Sequence, residues 1–220
     1  MSNKYKSVFD IIGPIMIGPS SSHTAGAVQI GRIANKLFGK IPPKVTVHYY
    51  GSFAQTHRGH GTDYAIAAGI MGFLPHDSRV PLAPQIARQQ GIDLRFVEES
   101  GDSPIHHPNT AILVMTDGNK QIKVSGCSIG GGAVEIREIN LEGVEILPAG
   151  PLPIVIFRDY SKKMANALAI NDDLEQKAPF SRRQVLRAPN CDIYVYDIQN
   201  KMQPATVTYF EEKYPTAICL

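Results

Sequence analysis

Residues 109–124 read NTAILVMTDGNKQIKV. The first half is an apolar run over residues 110–116. Asp117-Gly118-Asn119-Lys120 then gives a hairpin turn signal, because Asp-Gly supplies the positive φ that tight turns need. Ile122 and Val124 resume the alternation, and Cys127 continues it. A hairpin here makes an antiparallel sheet the frame of the surrounding chain.

Working outward, residues 44–50 set Val45, Val47 and Tyr49 against Thr46, His48 and Tyr50. That period of two is a half-buried strand. Ile92, Leu94 and Phe96 alternate with charged residues in the same way. Residues 133–139 add another strand after Ser128-Ile129-Gly130-Gly131-Gly132. Helical spacing appears over residues 25–38 (Val28, Ile30, Ile33, Ala34, Leu37), with Gly39 as the stop. A second helix opens at Thr62-Asp63 with Ala65, Ile66, Gly69, Ile70 and Phe73 on one side. A Pro-led third covers residues 82–90, ended by Gly91. The class is α+β: a mixed sheet domain with two or three helices.

The tail has another rhythm. Residues 153–157 and 192–198 read as strands, 180–186 as a weaker one carrying Arg182-Arg183, and 216–220 as a short last one. Ser161 suits the cap of a helix reaching Leu174. Pro204 suits the first turn of a helix reaching Glu212. The order βαββαβ is that of a small ferredoxin-like module.

The chain has 220 residues, 43% hydrophobic and 19% charged, which excludes disordered and fibrous classes. Twenty-two basic against 20 acidic residues leave a net charge of +2. That balance argues against a nucleic-acid stripe or a membrane-surface patch. All 19 glycines lie at or before Gly150 and all 7 histidines at or before His107. This sorting predicts two domains, 1–150 and 151–220, with the chemistry in the first. Ile11-Ile12 and Ile15-Met16-Ile17 are split by Gly13-Pro14, so no secretory signal is expected. No run approaches the roughly 18 apolar residues of a membrane helix. Cys127, Cys191 and Cys219 form no CxxC pair and no zinc or cluster spacing. They read as reduced thiols of a cytoplasmic protein. Cys219, near the C-terminus, is the one best placed to reach another chain.

Four segments carry polar chemistry. GPSSSHTAGA (18–27) puts Ser20, Ser21, Ser22, His23 and Thr24 just before a helix, where free N–H groups, the dipole and hydroxyls suit an anion. One cap needs one Ser or Thr, not four hydroxyls and a histidine, so a ligand site is favoured over a plain cap. GSFAQTHRGHGTD (51–63) places His60 between Gly59 and Gly61 in a loop, with Thr62-Asp63 opening the next helix. The imidazole suits a general base, and an exposed surface loop explains the same residues equally. His106-His107-Pro108-Asn109 suits either substrate orientation or an ordinary turn, and on these residues alone the turn is favoured. SIGGG (128–132) lacks the Lys and Thr of a P-loop and reads as a tight backbone crossing. No HExxH or interleaved carboxylate spacing is present, so no metal site is expected in this chain.

Taken in order, GPSSSHTAGA, YGSFAQTHRGHGTD, HPNT and SIGGG resemble the beta subunit of iron–sulfur-dependent L-serine dehydratase, over about residues 5–140. Ser7-Val8-Phe9-Asp10 also fits the start of that family. The resemblance implies an L-serine ammonia-lyase that turns L-serine into pyruvate and ammonia without pyridoxal phosphate. It implies a [4Fe-4S] cluster held by a partner alpha subunit, with an open iron acting on the serine hydroxyl, and a chain inactive alone. The family's catalytic histidine falls on His60. Ser20, Ser21, Ser22, His23 and Thr24 fall on its cleft-facing segment, and Thr62, Asp63, His107 and Asn109 join them as substrate-binding candidates. Many such chains end in an ACT domain. The tail here matches that order but lacks glycine in the first loop, where Asp159-Tyr160-Ser161 stands, so docking or self-association is as good a role as ligand binding. The rival reading is a non-catalytic subunit that senses an anion or amino acid.

Overall fold

The computed structural model describes residues 15–220. The lead-in Ser7-Val8-Phe9-Asp10, the apolar pair Ile11-Ile12 and Gly13-Pro14 lie outside the described residues. Contacts divide the chain into two compact units, one ending at Arg137 and one running from Glu138 to Leu220.

Among the described residues, the first element of the first unit is a π-wound turn, Ser21–Gly26, that runs straight into helix α1 (Ala27–Phe38). Val28, Ile30, Ala34, Leu37 and Phe38 bury the inner face of α1. Gly39 ends it in the left-handed region (φ 81°), and its N–H bonds the Asn35 carbonyl, a common helix stop. Strand β1 (Lys44–Tyr50) follows and leads directly into helix α2 (Gly51–His60). Gly61, at φ 74°, bends the chain into helix α3 (Thr62–Ile70). Helix α4 (Ala83–Gln89) and strand β2 (Asp93–Glu98) complete a crossover, so β2 pairs parallel with β1. Strands β3 (Asn109–Asp117), β4 (Lys120–Gly130), β5 (Ala133–Leu141) and β6 (Val144–Ile146) extend the sheet. Its order is β2-β1-β3-β4-β5-β6, and the division between units falls inside β5. Asp117 pairs with Lys120 across a two-residue turn with Gly118 at φ 56°, as the Asp-Gly signal predicts.

Helix α3 is apolar on nearly all sides, and Ala65 through Ile70 are all buried. Each fully buried isoleucine there is worth about 1.5–3 kcal/mol relative to an exposed one. The helix lies so close to α1 that a Cβ at Gly69 would collide with the Val28 carbonyl. The Asn35 amide bonds the Ile70 carbonyl at 2.7 Å and closes the same crossing.

The second unit contains strand β7 (Ile154–Asp159), helix α5 (Met164–Lys177), strands β8 (Phe180–Arg187) and β9 (Asp192–Ile198), helix α6 (Pro204–Lys213) and strand β10 (Ala217–Cys219). The order β10-β7-β9-β8, antiparallel throughout, is the ferredoxin-like arrangement. Val155, Phe157, Ile170, Leu174, Tyr196 and Phe210 form its core. Asp173 of α5 accepts from Tyr209, Lys213 and Tyr214, tying α5 to the end of α6.

Four local expectations change. Residues 51–60 are helical, not a loop. Phe53 and His57, one turn apart, are both buried and hold that helix against its glycine content. The SSSHT segment is part of the first, π-wound turn rather than a lead-in to it. Ser161 does not cap α5. Its hydroxyl donates to Asp159 and accepts the Lys163 N–H, and the helix begins at Met164. Cys219 is not free to reach outward, because it is 2% exposed within β10; Cys127 and Cys191 are buried too. Among the described residues, no helix is long and apolar enough to cross a membrane.

Candidate active site

The first unit gathers the four polar segments by direct contact. Ser20 sits at the N-cap of the π turn, where its Oγ accepts the His23 N–H at 3.2 Å and its carbonyl accepts the Thr24 N–H. Single turns of π-helix recur at functional sites, because the wider turn re-aims side chains. Here it turns the His23 ring inward. The Nδ1 lies 3.4 Å from the hydroxyls of Ser20 and Ser22, and the Nε2 lies 3.3 Å from Ser52 Oγ in the first turn of α2. The His23 ring meets His60 edge to face, centroids 4.8 Å apart, and Phe53 at 5.1 Å. Thr24 Oγ1 donates to the His60 carbonyl. Segments 18–27 and 51–63 are thus one structure.

The other two segments join it through backbone crossings. A Cβ at Gly26 would collide with Ser128 Oγ, so SIGGG passes directly against the π turn. The Ser128 carbonyl accepts from the Asn109 amide at 3.3 Å. Asn109 also bridges to Gly51, whose φ of 54° and closeness to the Pro108 carbonyl exclude a side chain. The Asn109 N–H donates to His107 Nδ1, and Thr110 Oγ1 donates to the His107 carbonyl. A cavity of about 320 Å³ opens here, lined by Gly51, Asp102, Ser103, His106, His107 and Pro108. That is the size of a small-molecule site.

Exposure separates the candidates into groups. His60, the last residue of α2, is exposed. Ser20, Ser21, Ser22, His107 and Asn109 are partly exposed. Thr24 and Thr62 are fully buried, so they shape the site from behind. Asp63 turns Oδ1 to His57 Nδ1 at 2.6 Å. Two participants are missing from the sequence reading. Ser52 had only its place after Gly51 to mark it. His57 had only its spacing of three from His60, which within a loop carries no meaning.

The electrostatics favour the neutral form of two of the imidazoles, His23 and His107. Burial holds His23 below the usual histidine range, and repulsion from His60 adds to it. Burial, then the Arg137 charge, lowers His107 as well. Because His107 Nδ1 accepts from Asn109, a neutral His107 keeps its proton on Nε2, where it can donate. The arrangement offers hydroxyl and N–H donors for an anion and an exposed imidazole for a proton.

Among the described residues, no group of three or more His, Cys, Asp or Glu side chains could hold a metal ion. The three thiols are buried apart, Cys127 in β4, Cys191 beside β9 and Cys219 in β10. Among the described residues, no such arrangement fits an iron–sulfur cluster.

A family model of the serine dehydratase beta chain matches residues 7–138. The probable L-serine dehydratase beta chain of Bacillus subtilis is 51% identical over 153 residues, 70% of this chain and 68% of that one. The L-serine dehydratase beta chain of Peptoniphilus asaccharolyticus is 42% identical over 142 residues, 64% and 62% of the two chains. L-serine dehydratase 2 of Escherichia coli is 36% identical over 108 residues, 46% of this chain and 23% of that protein.

Proposed function

The chain belongs to the serine dehydratase beta-chain family, and from that premise we propose that it supplies a proton acceptor and a substrate-binding turn to an L-serine dehydratase completed by an alpha chain. The reaction is conversion of L-serine to pyruvate and ammonia. In this reading residues 1–150 form the dehydratase domain and 151–220 an ACT-like module. The alpha chain holds the [4Fe-4S] cluster, which supplies a Lewis acid for the serine hydroxyl.

His60 takes the α-proton at its exposed ring. Burial keeps the neighbouring His23 from competing for that proton. The hydroxyls of Ser20, Ser21 and Ser22, with N–H groups at the start of the π turn, hold the substrate carboxylate. His23 orders the hydroxyls of Ser20 and Ser22. His107 donates from Nε2, and Asn109 fixes its ring. Thr24 and Thr62 support the turn and the bend from inside. The observation that carries this reading is the 4.8 Å approach of His23 to His60, which makes the two most specific motifs one site.

The test is anaerobic co-expression with the alpha chain, followed by a pyruvate assay on L-serine. We expect His60→Ala to lower kcat by about 100-fold or more while the complex still assembles. Unchanged activity in an intact complex removes His60 from the chemistry.

One observation favours a second reading, effector sensing. A cavity of about 370 Å³ in the second unit is lined by Arg158, Asp159, Tyr160, Ser161, Asn166 and Lys213. Asp159 Oδ2 is buried there without a partner. If the isolated chain binds L-serine by calorimetry and the alpha chain is active alone, sensing replaces catalysis.

A further inference from the structure

His57 is 3% exposed, yet both of its ring nitrogens face carboxylates. Nδ1 lies 2.6 Å from Asp63 Oδ1, and Nε2 lies 2.8 Å from Glu98 Oε1. The three residues come from three elements: α2, the first turn of α3 and the end of β2. Arg58 adds a bond to the same Glu98 oxygen at 3.0 Å, and the Tyr49 ring lies 4.9 Å from the imidazole.

The segment so held is weak by itself. The last turn of α2 contains Gly59, and the bend that follows is Gly61 at φ 74°. Glycines on both sides of His60 leave its backbone the widest choice of conformations. The Gly61 N–H bonds the His57 carbonyl, so the cap of α2 is also anchored on residue 57. One residue therefore holds the turn through its backbone and fixes it through its ring to the sheet and to α3.

We propose that His57 is a positioning residue: with Asp63 and Glu98 it clamps the α2–α3 bend and so sets the direction of the His60 ring. The proposal rests on His60 being the proton acceptor. It gives Asp63 a role inside the protein, pairing with His57, in place of contact with substrate. An anchor of this kind changes turnover more than binding, because a misaimed base costs rate in the transition state.

The experiment compares wild type, His57→Phe, His57→Gln and Asp63→Asn in the complex with the alpha chain, with His60→Ala as the control. We expect His57→Phe to lower kcat per assembled complex about 10- to 100-fold, with KM changed less than about threefold. His57→Gln keeps one donor group and should fall between it and wild type. Asp63→Asn added to His57→Phe should cost less than about twofold more, because the pair is already broken. The second readout needs no activity. In the isolated chain, the His60 ring proton signals, assigned by their loss in His60→Ala, should move in the His57 variants. The signals of the exposed His76 should stay. Wild-type kcat and unmoved His60 signals in folded His57→Gln overturn the clamp. Unchanged activity in His60→Ala overturns the catalytic reading instead, and the ring signals then decide the clamp separately.

Discussion

His23 is 9% exposed and His57 3% exposed, but the first is ringed by hydroxyls and the second held between carboxylates. Hydroxyls donate or accept as required, so His23 keeps its freedom to change roles when a ligand arrives. Carboxylates at 2.6 and 2.8 Å give His57 no such freedom. In the proposed reading the two histidines serve His60 differently: His23 faces the reacting space, and His57 braces the helix end. Burial alone therefore says little about what a histidine does; the partners at its two nitrogens say more.

The largest effect that sharpens this contrast is on turnover. His23→Ala should lower kcat/KM by about 30- to 100-fold while the melting temperature moves little, since its hydroxyl partners can bond water instead. A large fall in melting temperature with activity preserved would make His23 the structural member of the pair and break the comparison.

A smaller effect lies in the pH dependence of stability. An unfolded histidine gains a proton as pH falls through about 6.5. Folded His23 resists, because burial first and His60 second hold its pKa down. The unfolded state then binds more protons, so stability drops as pH falls below about 6.5. His107 is lowered too and adds to the same step. Glu98 behaves otherwise: the His57 hydrogen bond, then the Arg58 charge, hold its carboxyl below the usual range. Its contribution is present above about pH 4.3 and is lost as pH falls through its lower folded value. Melts followed by circular dichroism from neutral pH down to about pH 3 should show two losses. His23→Gln should shrink the upper one without abolishing it, and Glu98→Gln the lower one. An upper loss untouched by His23→Gln would refute the hydroxyl-ring half of the contrast.

The smallest effect tests how far the clamp extends. Arg58 reaches Glu98 from solvent, with its side chain 81% exposed. Arg58→Ala should change the melting temperature by about 1 °C or less and kcat by less than about twofold. A larger loss would move the brace from His57 to the surface ion pair.

Much of the frame was legible in the chain. Val45, Val47 and Tyr49 alternate as a strand and are buried as one. Asp117-Gly118-Asn119-Lys120 turns where its chemistry says it should. The βαββαβ rhythm of the tail becomes the order β10-β7-β9-β8. The helix at 51–60 was not legible, because its causes are remote. Glu98 stands 41 residues from His57, and Pro108, which takes the Phe53 N–H, is further still. Local propensity reads Gly59-His60-Gly61 as a loop, and only tertiary contacts reverse that. Within the site, hydroxyl-rich residues 20–24 announced themselves by composition. His57 and Ser52 did not, since each acquires meaning only from a partner that folding brings to it.

The burial of all three thiols has a practical side. Cys127 lies in the first unit, and Cys191 and Cys219 lie in the second. An alkylating reagent reaches a buried thiol only when the surrounding structure opens. Mass after timed labelling thus separates one opening event from the other without any engineered probe. The wild-type chain carries its own clock for each half.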